Sequence, residues 1–125
     1  MRALIVDDSR AMRTILSRIV AGLGFETILA GDGKQALAVL SASPPPDLLL
    51  TDWNMPEMNG YELVCAVRAI PGYAGIKIVM VTTETEISQI SAAIAAGADE
   101  YVMKPFTPEI MLDKLRMLGL AETAP

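Results

Sequence analysis

The chain has no histidine, a single cysteine and fewer basic than acidic residues, and each shortage excludes a class of function. A zinc centre wants His or Cys ligands, so the lack of histidine beside one cysteine argues against one. Cys65 has no partner for an internal disulfide, and the apolar-periodic stretch Tyr61 to Val67 around it reads as a small core position in a reducing compartment. Ten Lys and Arg against 15 Asp and Glu give a formal charge of -5, the wrong sign for a surface that follows phosphate backbones, so no nucleic-acid partner is expected. No apolar run reaches the roughly 18 residues of a membrane span. The first apolar run opens at Ala3, leaving no room for a charged leader and an apolar signal segment. A cytoplasmic protein without membrane insertion is the expectation. Gly22-Leu23-Gly24 follows a helical pattern rather than a strand, and Thr27 holds the third glycine position, so the dinucleotide fingerprint fails.

What is present is a regular alternation. Short runs rich in Leu, Ile and Val recur near residues 3–6, 26–30, 48–51, 76–81 and 100–103, each bounded by Asp, Gly or Pro. Between them lie helical patterns: Ser9 as an N-cap ahead of Met12, Ile15, Leu16, Ile19 and Val20, then residues 33–40, 60–69, 86–96 and 108–118. Five strands alternating with five helices predict an α/β, doubly wound parallel sheet built from right-handed crossovers. With 125 residues, 52% of them hydrophobic, the chain fits one domain, read as residues 1–120 with a short tail at 121–125. Pro44-Pro45-Pro46 is a stiff connector inside that domain, because the next strand starts at once.

In such sheets ligands bind beyond the carboxyl ends of the strands, and chemistry-bearing residues collect there. Asp7 and Asp8 end the first run, Asp52 the third and Thr82 the fourth, and Lys104 follows the fifth. Converging carboxylates repel, so the cluster must protonate or take a cation. Oxygen-only ligands favour Mg²⁺, with Asp8 and Asp52 direct, Asp7 through water, and the backbone carbonyl of Asn54 in reach. Asp52 would then be an ionised oxygen nucleophile that needs no general base. It could accept a phosphoryl group whose charge Mg²⁺ and Lys104 neutralise, with the Thr82 hydroxyl on a phosphoryl oxygen. Lacking histidine and a nucleotide loop, the chain must receive that group from outside. Each residue also has an ordinary reading: Asp8 as a helix cap, Asp52 as a turn residue, Lys104 in a surface ion pair, Thr82 and Tyr101 as strand formers, the methionines as core filler. Trp53 reads as a partly exposed neighbour of the site.

Together, Asp7-Asp8, Thr51-Asp52-Trp53-Asn54-Met55-Pro56 with Gly60, Thr82-Thr83-Glu84 and Tyr101-Val102-Met103-Lys104-Pro105 resemble a receiver domain of two-component signalling, most of all the CheY-type single-domain chemotaxis regulators. The resemblance implies a flavodoxin-like strand order 2-1-3-4-5, Asp52 as phosphoacceptor, Asp7 and Asp8 on Mg²⁺, and Lys104 on the phosphoryl group. It further implies a Thr82–Tyr101 switch that reshapes the face of the fourth helix, fifth strand and fifth helix, Asn54 and Glu84 as residues that tune dephosphorylation, and a cis Lys104-Pro105 bond. Thr83 is bulkier than the residue many members carry there, and Thr85-Glu86 stands where chemotaxis members often carry lysines.

The implied function is a stand-alone, monomeric phosphoacceptor that catalyses only its own phosphorylation and dephosphorylation and is otherwise no enzyme. Its donor would be a sensor histidine kinase or a phosphotransfer protein. Its target would be a flagellar motor switch or another signalling protein. Alternatives of the same chemistry are a single-domain phosphorelay member or a cell-cycle or stress-signalling receiver. An aspartyl-phosphate phosphatase is disfavoured, because it would want a second acid where Asn54 stands.

Overall fold

The third strand is buried at every residue, Leu48 through Asp52, which is what a central parallel strand covered on both faces requires and why its sequence is a continuous apolar run. In the computed structural model, residues 1–83 and 88–121 are described. The elements are β1 (Arg2–Val6), α1 (Arg10–Ala21), β2 (Glu26–Ala30), α2 (Gly33–Ala42), β3 (Leu48–Asp52), α3 (Gly60–Arg68), β4 (Lys77–Thr82), α4 (Ile90–Ala96), β5 (Glu100–Met103) and α5 (Pro108–Met117). All strand pairs are parallel, in the order β2-β1-β3-β4-β5. This is the doubly wound, flavodoxin-like arrangement expected. A 3-10 turn at Pro71–Tyr73 precedes β4 and was not expected. The sequence places the start of the fourth helix at Glu86, which lies outside the described residues, as does the expected tail apart from Ala121.

Helix starts follow local chemistry. Ser9 accepts from Met12 N–H, Asp32 from Gln35 N–H and Thr107 from Ile110 N–H, while Asn59 and Glu62 form a reciprocal capping box. Strand periodicity then divides the core into two layers. Ala3, Ile5, Leu48, Leu50, Val79, Val81 and Val102 pack with Leu16 and Val20 of α1 and with Met111 and Leu115 of α5. Leu4, Val6, Leu49, Ile78 and Met80 pack on the other face, with residues of α2, α3 and α4. The period of two along each strand decides the layer each side chain joins.

Two side chains depart from expectation. Cys65 is exposed, because α3 buries Gly60, Leu63, Val64 and Val67 and position 65 falls off that i, i+3, i+4, i+7 stripe. Trp53 is buried at 7% exposure, since its ring stacks on Tyr61 of α3 with centroids 6.0 Å apart. No helix among the described residues is long and apolar enough to cross a membrane.

The sheet edge opposite the strand carboxyl ends is tied by Arg68. Its guanidinium donates to the carbonyls of Gly97 (3.0 Å), Tyr73 (3.0 Å) and Ile76 (2.7 Å) and to the Asp99 carboxylate (3.0 Å). That carboxylate also accepts from Ile78 N–H at 2.8 Å. One planar donor group thus joins α3, the 3-10 turn, β4 and the end of α4. Arg68→Met removes this shared donor, and we expect it to lower stability by on the order of 3 kcal/mol in urea unfolding.

Candidate functional site

Asp7 directly follows β1, and its N–H donates to Ala30 carbonyl at 3.2 Å, so the ladder with β2 still holds its backbone. Asp52 ends the neighbouring strand β3. Asp7 continues the parity of Ala3 and Ile5, and Asp52 that of Leu48 and Leu50, so both emerge on the α1–α5 side of the sheet. Lys104 continues the parity of Val102 and reaches the same place. Its Nζ stands 3.3 Å from Asp52 Oδ1 and 3.5 Å from Asp7 Oδ2. The structure therefore brings together Asp7, Asp52 and Lys104 from three strand ends, together with Asp8. Carboxylate oxygens of Asp7, Asp8 and Asp52 lie within 4.8 Å of one another.

The burial is uneven and chemically informative. Asp7 is 1% and Asp52 7% exposed, while Asp8 is exposed. Asp7 Oδ1 accepts from Ser9 N–H at 2.8 Å and its main-chain carbonyl from Arg13 Nη1 at 2.6 Å. Asp7 Oδ2 is buried without a hydrogen bond. Asp52 Oδ1 accepts from Trp53 N–H at 2.8 Å and from Lys104 Nζ. Among the described residues no hydrogen bond falls on Asp52 Oδ2, which leaves that oxygen's lone pairs available. Burial pushes the Asp52 carboxyl above its ordinary value of 3.8; Lys104 opposes the shift, and the negative charge of Asp7 adds to it. One ammonium thus fails to offset two carboxylates taken out of water.

Such a donor set is all oxygen, includes a buried carboxylate atom that accepts no hydrogen bond and faces Lys104 at 3.5 Å, and sets three acids against that ammonium. A hard, partly hydrated divalent cation such as Mg²⁺ fits these residues on each count.

The approach of α3 leaves this corner crowded. Gly60 N–H donates to Trp53 carbonyl at 2.8 Å, and a Cβ at Gly60 would overlap the Asp52 carbonyl oxygen. Glycine is required there by that close approach. Across the site, Lys104 N–H donates to Thr82 carbonyl at 2.6 Å, and the Lys104-Pro105 peptide is cis.

The remaining sequence-predicted residues lie around this cluster rather than in it. Thr82 is fully buried one residue beyond Val81, the ladder partner of Asp52. It continues the parity of Ile78 and Met80, the opposite core layer, and its Oγ1 lies 3.4 Å from Thr83 carbonyl. Tyr101 is half-buried against that same layer. Lys114 of α5 stands 5.1 Å over its ring and 3.3 Å from Glu100, whose carboxylate also accepts from Tyr101 N–H at 3.0 Å. Asn54 is exposed just past β3, and Glu84 lies outside the described residues. Sequence reasoning missed Arg13 and the Lys114–Glu100 pair. The signal for Arg13 was faint: an arginine one turn into the helix that follows two acids, able to reach back to them.

Comparison with known proteins agrees with this arrangement. The family model described as the response regulator receiver domain matches residues 3–116. The chain is 42% identical over 119 residues to Chemotaxis protein CheY1 of Helicobacter pylori, spanning 94% of this chain and 96% of that one. It is 43% identical over 119 residues to Chemotaxis protein CheY of Pseudomonas aeruginosa, spanning 94% and 95%. The solved structure of the chemotaxis response regulator CheY4 of Vibrio cholerae superposes with a TM-score of 0.86 at 38% identity, covering 94% of this chain and 97% of that one. With its acids and lysine gathered at the strand ends and the family model spanning almost the whole chain, the protein belongs to the response regulator receiver domains, a family of phosphorylation-based signalling proteins.

Proposed function

We propose that this chain is a stand-alone response regulator whose Asp52 accepts a phosphoryl group from a histidine kinase, a phosphotransfer protein or a small phosphodonor, and that it acts in chemotaxis or motility signalling. One observation carries the proposal: among the described residues the hydrogen bonds to the Asp52 carboxylate fall on Oδ1, which leaves Oδ2 available beside the buried Asp7 and near the Lys104 ammonium. The similarity to chemotaxis regulators over more than nine-tenths of the chain supports the signalling context. On this reading residues 1–120 are the receiver unit, monomeric and cytoplasmic, and its target is a flagellar motor switch or another signalling protein.

The proposed step is an in-line displacement. Asp52 Oδ2 forms a bond to the donor phosphorus as the bond from phosphorus to the leaving nitrogen or oxygen breaks, and the product is an acyl phosphate. In its ionised form the carboxylate attacks without first losing a proton to a general base. Trp53 N–H and Lys104 hold Oδ1 and so orient the attacking oxygen. When bound by Asp7, Asp8, Asp52 and the Asn54 carbonyl, Mg²⁺ supplies positive charge for the phosphoryl oxygens. Lys104, already between the two buried acids, follows the new charge on the phosphoryl group, which draws on the end of β5. The Thr82 hydroxyl and the Tyr101 ring then reset the α4–β5–α5 face, a shift between pre-existing conformations. Asn54 and Glu84 tune the lifetime of the acyl phosphate.

Incubation with acetyl phosphate and Mg²⁺, followed by phosphoprotein mass and Trp53 fluorescence, tests the acceptor: wild type should gain one phosphoryl group and Asp52→Asn none. Phosphorylation of Asp52→Asn to the same extent would sink the assignment. In Lys104→Met the acceptor oxygen remains, so a phosphoryl group is still taken up while the Trp53 response falls; an unchanged response would remove Lys104 from the relay. A third expectation follows from the raised carboxyl of Asp52. A folded-state value above the unfolded one gives stability that is complete below pH 3.8 and is lost as pH rises through the folded value. In chelator, Asp52→Asn should therefore melt higher than wild type at neutral pH, and the gain should shrink as pH falls through the raised folded value and be gone by 3.8.

A further inference from the structure

The two consecutive acids Asp7 and Asp8 should not be able to share a ligand in an extended chain, because successive side chains of a strand point to opposite faces. Here one is buried and the other exposed, at a bend, yet an oxygen of each lies within the same 4.8 Å cluster. The peptide that joins them sets this convergence, and three bonds fix its surroundings: Asp7 N–H to Ala30 carbonyl, Ser9 N–H to Asp7 Oδ1, and Arg13 Nη1 to the Asp7 carbonyl at 2.6 Å. The last alone grips the Asp7–Asp8 peptide itself. Arg13 is half-buried, and its Nη1 would stand 3.6 Å from a Cβ at Gly31, so the guanidinium spans from α1 to the turn after β2.

We propose that Arg13 is a positioning residue for the cation site, holding the Asp7–Asp8 peptide so that both carboxylates face one divalent ion. The inference rests on the reading of Asp7, Asp8 and Asp52 as that site. It also carries a sign that separates it from simple electrostatics. A guanidinium beside a cation site repels the cation, so if charge alone mattered, removing Arg13 would tighten binding. If geometry dominates, removing it weakens binding, by roughly the 10- to 100-fold that loss of outer-shell partners costs.

Isothermal titration of the metal-free full chain with MgCl₂, alongside thermal melting by circular dichroism, decides between them. Arg13→Met should bind Mg²⁺ at least about tenfold more weakly than wild type. Arg13→Lys, which keeps a charged donor of similar reach, should return most of the affinity, a rescue that a merely structural loss would not show. Should Arg13→Met fail to fold, Arg13→Gln, too short to reach the carbonyl but suited to a half-exposed helix position, takes its place. Equal or tighter binding by Arg13→Met, or the same loss in Arg13→Lys, would overturn the role of Arg13. Absence of Mg²⁺ binding in wild type would instead overturn the site reading and this inference with it.

Discussion

Everything near the active edge of this molecule depends on two carboxylates removed from water side by side. Asp7 and Asp52 leave adjacent strands on the same parity, so the sheet itself forces them together. Burial of like charges is unfavourable, and the single ammonium of Lys104 offsets it only in part, as the raised Asp52 carboxyl records. The surrounding structure holds the arrangement in place: the Ser9 amide on Asp7, the Trp53 amide on Asp52, and α3 packed so closely that only glycine fits at position 60. Two buried acids and an exposed third, opposed by one lysine, make a donor set that suits a divalent cation.

Distance separates this corner from the most heavily bonded side chain of the opposite edge. Arg68 fastens the far ends of α3, β4 and α4 through four carbonyls and a carboxylate. These bonds lie at the end of the sheet away from Asp7, Asp52 and Lys104.

Most of the fold could be read from the chain because its determinants are local. Buried parallel strands are continuous apolar runs, Leu48 to Leu50 most plainly, and Ser9 announces α1 through a cap three residues long. The acids and the lysine were legible for the same reason: each sits one step past such a run. What escaped the sequence depends on contacts between distant segments. Trp53 is buried in the core layer where α3 brings Tyr61 against it, Cys65 is exposed because of the phase at which α3 meets the sheet, and Arg13 reaches the Asp7 carbonyl because α1 turns back beside β1. The Lys114–Glu100 pair around Tyr101 likewise requires knowing how α5 crosses β5.

The parity that divides the core also sorts the residues beyond it. Asp7, Asp52 and Lys104 extend the layer shared with α1 and α5, whereas Thr82 and Tyr101 belong to the layer shared with α2, α3 and α4. The sheet thus separates the acids and the lysine from Thr82 and Tyr101, and the two groups meet at its rim, where Lys104 N–H donates to the Thr82 carbonyl and Lys114 of α5 stands over the Tyr101 ring. Such a partition lets the two sides diverge in sequence at different rates. The residues behind Tyr101 could be repacked while those behind Asp52, one sheet face away, stay as they are.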